Sequence, residues 1–320
     1  MSGTVNAGGQ CALGLDVGGT KIAGGLVVWP SGEIVCRRLV PTAAARGGEP
    51  VLDDVIILAR QLAQEAQRNS WQVLGIGLGV AELVDSEGRV TSGQTIHWEG
   101  LPVFERLTGI APAVVEADVR AAALGEAWFG AGKPFRSFTY LTVGTGISSC
   151  LVIDRKPWAG ANGNALVMAS SPLSTTCGRC GADLSPILED FASGPAITRR
   201  YREATGRGVM RTEEVFAALG HDECAQEIIR SAGFALGVSL AFLVNVTDPE
   251  SVIVGGGLGS AKGLYWDEMV ASARRHIWSK VTRELPILPA ALGPDAGIVG
   301  AATSIFAREC ELPAMESSDD

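Results

Sequence analysis

Apolar runs rich in valine, isoleucine and leucine alternate along the chain with segments whose apolar positions recur at helical spacing, a pattern that predicts an α/β protein. The stretch CALGLDVGGTKIAGGLVVWPSGEIVCRRLV (11–40) divides into three short strands at two tight turns, the second marked by Pro30 and Gly32. An amphipathic helix follows in VLDDVIILARQLAQEAQRN (51–69), then a buried strand in VLGIGLGVA (73–81). DVRAAALGEAWFGAG (118–132) predicts a helix that starts near Asp118 and stops at Gly130 or Gly132, since glycine tolerates the positive φ of a helix end. SVIVGGGLGS (251–260) reads as a buried strand running into a glycine turn, and LGPDAGIVGAATSIFARE (292–309) as a small-residue helix. The longest uncharged run, SAGFALGVSLAFLVNVT (231–247), falls short of the roughly 20 apolar residues of a membrane span and reads as a core helix. The acidic tail MESSDD is expected to fray.

A repeat organises these elements. LDVGGTKIAGGLVV (15–28) and LTVGTGISSCLVI (141–153) match, with one gap, as strand, Gly/Thr turn, strand, and their apolar flanks match too. A chance match of two glycine turns is the plainer alternative. Duplication predicts two related α/β lobes, each opening with a hairpin whose turn faces a shared cleft, hinged like a clamshell. The expected division is a smaller lobe of 1–117 plus 297–320 and a larger lobe of 118–296.

The 320 residues suffice for two domains with a sizeable core. A net charge of -9, with the two signs interspersed, offers no basic face for nucleic acid or an anionic membrane. MSGTVNAGGQ is polar and glycine-rich, unlike a secretion signal, so a cytoplasmic protein is expected. Seven mostly scattered cysteines, at 11, 36, 150, 177, 180, 224 and 310, suggest reduced thiols.

A phosphate chain held by main chain needs N–H groups aimed at it with no side chain in the way, and glycines after a strand supply that geometry. Gly18, Gly19 and Thr20, with Lys21 beside them, fit in the first turn, and Gly144, Thr145 and Gly146 in the second. Gly255, Gly256 and Gly257 form a third candidate, without a Walker lysine or the third glycine of a dinucleotide fingerprint. Any one turn alone could be a plain hairpin, whereas ATP in a cleft between lobes explains all three. Asp16, at the end of its strand, could hold Mg²⁺ through water. Asp118 follows an apolar strand and opens a helix, so it is either a carboxylate base for a hydroxyl acceptor or a simple helix N-cap.

LGLDVGGTKIAGGLV, VEADVRAAALGE, VGTGISSCLV, GANG, EDFASGPAI, VIVGGG and DAGIVGAA occur in the order and spacing of the ROK family of bacterial repressors, open reading frames and sugar kinases. The chain resembles a glucokinase-type member over roughly residues 10–310. The resemblance implies a two-domain, actin-like fold related to ribonuclease H, and usually a homodimer. It also implies Asp118 as catalytic base, with Asp16, the 18–21 turn, the 144–146 turn and Gly255–Gly257 around MgATP.

Departures from the family pattern fall on the acceptor side. Sugar-binding members have Asn before the base and Asn two residues after it; here these are Ala117 and Arg120. A Glu and a His that grip the sugar's anomeric side correspond to Val167 and Ser170 in GANGNALVMASS. Glu82, in GVAELVD (79–85), stands where the family usually has a small glycine, so Glu82 and Arg120 are either solvated charges or new acceptor contacts. Asn162 of GANG and Glu189, which matches a sugar-reaching family Glu, complete the expected acceptor set. The pair Cys177 and Cys180 in STTCGRCGADLS could be half a zinc site, a redox pair or a remnant. Family members build a four-ligand zinc site from a C-x-C-G-x-x-G-C run and the His replaced here by Ser170, so no structural zinc is expected.

The resemblance therefore implies an ATP- and Mg²⁺-dependent phosphotransferase acting on a primary hydroxyl of a small-molecule polyol. ROK-like kinases occur in aminocyclitol antibiotic pathways, and a C7-cyclitol, with no ordinary anomeric centre, fits the departures. A hexose or amino-sugar kinase and a catalytically inactive ROK sensor are the alternatives. A DNA-binding regulator would need a helix-turn-helix domain ahead of the first strand, where this sequence has little chain.

Overall fold

A computed structural model describes residues 9–170, 175–176 and 180–311. The MESSDD tail and Cys177 lie outside them. The chain divides into two compact units.

The first unit takes in the chain up to Lys133, Arg155–Ala165 and everything from Pro294. Its sheet has the order β3-β2-β1-β4-β5. Strands β1 (Gln10–Val17), β2 (Lys21–Val28) and β3 (Ile34–Pro41) are antiparallel neighbours, and β4 (Gln72–Val80) and β5 (Ala113–Ala117) extend the sheet in parallel from β1. Side chains alternate across β1. Cys11, Leu13, Leu15 and Val17 enter the core that Val51, Leu52, Val55, Leu58 and Leu62 of helix α1 (Gly48–Arg68) share. Ala12 packs on the opposite face with Ile298 and Ala302 of the C-terminal helix, Ala296–Glu311. Asp16 has the parity of Ala12, which brings its carboxylate out at the strand end on the C-terminal helix's side. Helices α2 (Val103–Thr108) and α3 (Asp118–Phe129) flank β5 in sequence.

The second unit comprises Pro134–Asp154 and Leu166–Gly293. Strands β6 (Ser137–Val143) and β7 (Ile147–Ile153), followed in the chain by the two-residue β8 (Lys156–Pro157) of the first unit's Arg155–Ala165 segment, precede a small hairpin, β9 (Thr175–Thr176) and β10 (Asp183–Leu184). Helices α4 (Glu189–Ala192), α5 (Gly194–Thr205), α6 (Thr212–Ala217) and α7 (Glu223–Thr247) follow, then β11 (Ser251–Gly255), α8 (Leu264–His276) and β12 (Ile287–Pro289), with Ala296–Glu311 as α9. The sheet order is β12-β11-β6-β7-β8. Strand for strand this repeats the first sheet, antiparallel where β1 meets β2 and parallel where β1 meets β4 and β4 meets β5.

Helix α7 is long and apolar enough by length and composition to cross a membrane, but most of its apolar window is buried inside the protein. Asp222 caps it, accepting from the N–H groups of Cys224 and Ala225 at 2.9 and 3.2 Å, and Ile229, Leu236, Leu240 and Val244 enter the second unit's core. It is a core helix, longer at its N-terminus than the uncharged run suggests.

The boundary expected between residues 117 and 118 falls instead at Lys133, because α3 packs along α9. Glycines bring these helices together: a Cβ on Gly125 would lie 3.0 Å from the Cα of Gly300. The return to the first unit comes at Pro294 instead of 297, with Arg155–Ala165 added.

Candidate functional site

In the first unit, the turn between β1 and β2 is closed by the Gly18 N–H donating to the Lys21 carbonyl at 3.0 Å. Thr42, fully buried just after β3, braces it from behind. Its hydroxyl donates to the Gly18 carbonyl at 2.6 Å and its N–H to the Thr20 carbonyl at 3.1 Å. The N–H groups of Gly19 and Thr20 donate to no acceptor among the described residues, and both residues are exposed. Carbonyls engaged inward and N–H groups left outward give the polarity an anion requires. Neither glycine has positive φ, so their use here is the absent side chain. Lys21 is exposed beside the turn.

Asp16 stands at the base of this turn. A Cβ on Gly297, in the first turn of α9, would lie 2.4 Å from the Asp16 carboxyl carbon, so only glycine lets that helix reach the carboxylate. Burial raises the pKa of Asp16 while Lys21 works to lower it. The carboxylate takes no hydrogen bond from the described residues. A hard oxygen ligand left unused by protein donors fits a hydrated Mg²⁺.

Asp118 is the first residue of α3, after β5. The cap position is Ala117, which has extended backbone and makes no side-chain cap, so the N-cap reading of Asp118 does not hold. One Asp118 oxygen accepts from the Val119 N–H at 2.6 Å. Burial first and the Asp16 carboxylate second push the Asp118 pKa up to about 7, against the Val119 N–H and the Arg120 charge, with Glu82 adding to the rise. A carboxylate with a pKa near neutrality is suited to accepting a proton.

Glu82 and Arg120 are not solvated charges: both are buried and engaged by protein groups. Glu82 is buried and accepts from the N–H groups of Gln94, Thr95 and Ile96 at 3.0, 2.7 and 2.6 Å and from the Ser92 hydroxyl at 2.5 Å. Burial works to raise its pKa, but these donors, Ser92 foremost, hold it below the usual carboxylate value. Arg120, also buried, pairs with Glu116 and donates to the carbonyls of Gly163 and Val84. Both charges are thus used to fix loops. Asn162, beside Gly163, is exposed.

In the second unit, the turn between β6 and β7 has the same closure, with the Gly144 N–H donating to the Gly146 carbonyl at 2.9 Å. The Gly144 carbonyl accepts from the Gly194 N–H, also at 2.9 Å, at the start of α5. Glu189 accepts from the Ile147 N–H at 2.8 Å, and a Cβ on Gly146 would lie 2.8 Å from the same oxygen. The residue expected to contact acceptor therefore braces a turn. The Thr145 and Gly146 N–H groups have no acceptor among the described residues.

The third glycine turn belongs with this one. The Val143 carbonyl accepts from the N–H groups of Leu258 and Gly259, both at 3.0 Å. Gly256 has φ of 82°, and a Cβ there would lie 2.3 Å from the Val143 oxygen. Gly257 is exposed, with open space around it. Turn residues 144–146 and 255–257 are one construction.

Val167, 45% exposed, and Ser170 present no acid or imidazole at the positions where the family resemblance implies them. Cys180 is exposed, and no cluster of three or more His, Cys, Asp or Glu side chains suits a metal among the described residues. Sequence reasoning missed Thr42, Ser92 and Gly194. Thr42 carried the one available signal, a hydroxyl residue directly after the Pro41 that ends β3.

Two sheets of one topology, each opening with a glycine turn whose N–H groups face outward, define the actin-like, ribonuclease H-related ATPase fold. The sequence model of the ROK family matches residues 12–308, and the chain belongs to that family. It is 32% identical to a glucokinase of Streptomyces coelicolor over 93% of this chain and 97% of that one. Among solved structures, the ROK hexokinase of Thermus thermophilus matches with a TM-score of 0.78 and 30% identity, covering 94% of this chain and 99% of its own. A ROK family glucokinase from Streptomyces griseus, in complex with glucose and AMPPNP, matches with a TM-score of 0.77 and 29% identity over 92% and 98%.

Proposed function

We propose that the protein transfers the γ-phosphoryl group of ATP to a primary hydroxyl of a sugar-like polyol. The observation that carries this reading is the Asp118 carboxylate, at the start of α3, in the same unit as the Asp16 carboxylate and an anion-facing turn. Asp118 takes the proton of the acceptor hydroxyl as its oxygen bonds to the γ-phosphorus, and the bond to the β-phosphate oxygen breaks to release ADP. Asp16 would hold Mg²⁺ through water, and the ion would offset phosphate charge. The N–H groups of Gly19 and Thr20, and those of Thr145 and Gly146, are the donors available to phosphate oxygens.

The acceptor we propose is a C7-cyclitol of natural-product biosynthesis, which has a hydroxymethyl group but no ordinary anomeric centre. The support is chemical: Val167 and Ser170 stand where the family grips the anomeric side, and Glu82, Arg120 and Glu189 are engaged by other groups. Each missing hydrogen bond would cost a hexose about 1 kcal/mol of binding. The glucokinase relatives favour a second reading, a hexose or amino-sugar kinase with different contacts. Acceptor-dependent ADP release from MgATP, measured against hexoses, amino sugars and C7-cyclitols, decides between them. Strong turnover of glucose overturns the cyclitol assignment, and no turnover with any polyol together with no nucleotide binding points to a sensor. The reading includes a homodimer, which sedimentation at assay concentration tests.

A further inference from the structure

We propose that Thr42 is a positioning residue that sets the peptide orientation of the 18–21 turn through its side-chain hydroxyl, so that the turn presents N–H groups to an anion. The naming of that anion as nucleotide phosphate rests on the kinase reading above. Thr42 lies 24 residues from Gly18 in sequence, one residue past the Lys21–Pro41 pair with which the β2–β3 ladder ends. Its hydroxyl and its N–H each take one turn carbonyl, at 2.6 and 3.1 Å. A peptide unit whose carbonyl is held inward has its N–H outward, because the two groups point in opposite directions across the peptide plane. Holding Gly18 C=O thus fixes the direction of the Gly19 N–H, and holding Thr20 C=O that of the Lys21 N–H.

Thr42 is itself anchored. Its carbonyl accepts from the Arg46 guanidinium at 3.0 Å, and Arg46 pairs with Asp54 on α1. A Cβ on Gly19 would lie 2.8 Å from the Thr95 methyl, so the turn has no room for a side chain there. Thr42 thus holds the turn through its hydroxyl and its N–H, and of the two only the hydroxyl is removed by a side-chain substitution. Among side chains of this size, valine keeps the shape and lacks the donor, and serine keeps the donor and lacks the methyl.

The test compares wild type with Thr42→Val, Thr42→Ser and Thr42→Cys, whose thiol is a weak donor. Hydrogen exchange of the Gly18 amide in protein without nucleotide reads the turn directly. Calorimetric titration with MgADP reads its use. The expected result is exchange at Gly18 at least several-fold faster, and MgADP binding about tenfold weaker, in Thr42→Val. Thr42→Ser should match wild type in both, and Thr42→Cys should fall with Thr42→Val. Wild-type exchange in folded Thr42→Val, or in Thr42→Cys should the valine variant not fold, overturns the assignment, as does a serine variant as impaired as valine. A wild type that binds no MgADP sinks the kinase reading, and the exchange comparison still decides the role of Thr42.

Discussion

In the first unit the carbonyl of the leading glycine, Gly18, accepts from a side-chain hydroxyl, that of Thr42; in the second, the equivalent carbonyl of Gly144 accepts from a backbone N–H, that of Gly194. The first turn is also one residue longer, closing onto Lys21 where the second closes onto Gly146, which is the gap in the sequence match. The scaffolds correspond strand for strand, but the acids do not. Asp16 matches Thr142 in the repeat, and β12, the counterpart of β5, is followed by Ala290 where β5 is followed by Asp118. Duplicated sheets thus supply two glycine turns, whereas the two candidate carboxylates, Asp16 and Asp118, both lie in the first unit.

The largest break in that asymmetry is Asp118→Asn. It should lower kcat roughly 10²- to 10⁴-fold while MgATP binding persists, and retained turnover would remove Asp118 as the base. In wild type, kcat/KM should fall as pH drops through about 7, where Asp118 gains a proton. Stability runs the other way. A carboxyl whose folded pKa lies above its unfolded value of 3.8 penalises the folded state fully above pH 7, and the penalty is relieved between pH 7 and pH 4. Thermal midpoints should therefore show Asp118→Asn more stable than wild type at pH 8, with the gap narrowing toward pH 5.

Arg120→Met comes next. It strands Glu116 and the carbonyls of Val84 and Gly163, and should cost roughly 3–5 kcal/mol in urea unfolding. A variant with unchanged stability and a raised acceptor KM would restore Arg120 as an acceptor contact. In the second unit, Gly256→Ala forces a residue with a side chain to φ of 82° and drives its Cβ into the Val143 carbonyl. The expected cost is roughly 1–3 kcal/mol, with weakened nucleotide binding because the 144–146 and 255–257 turns share that carbonyl.

The strands, the main helices and the duplication were legible because they follow from periodicity and from glycines next to each other in sequence. The lobe boundary was not, because α3 takes its place from α9, whose residues lie far along the chain. The burial of Glu82 and Arg120 was not legible for a related reason. Their partners are backbone groups at 94–96, 84 and 163, and nothing local in GVAELVD or VEADVRAAALGE announces a buried charge whose hydrogen bonds go to distant loops. Thr42 escaped notice because a turn motif records only the residues inside the turn.

Glu189 gives the smallest effect and sharpens the comparison most. If it only braces the second turn, as its acceptance from the Ile147 N–H implies, Glu189→Gln keeps an amide oxygen able to accept the same bond. The net change should then be about 1 kcal/mol or less, and the KM for ATP should rise at most a few-fold with the acceptor KM unmoved. Glu189→Ala removes the acceptor and leaves the Ile147 N–H without it, so a larger rise in the KM for ATP is expected. Steady-state kinetics with each substrate varied in turn separates the cases. An acceptor KM that climbs in Glu189→Gln while the ATP KM holds would return Glu189 to the acceptor, as the family resemblance implies. The two turns would then differ in more than their braces, since the second unit would carry recognition chemistry as well as phosphate contacts.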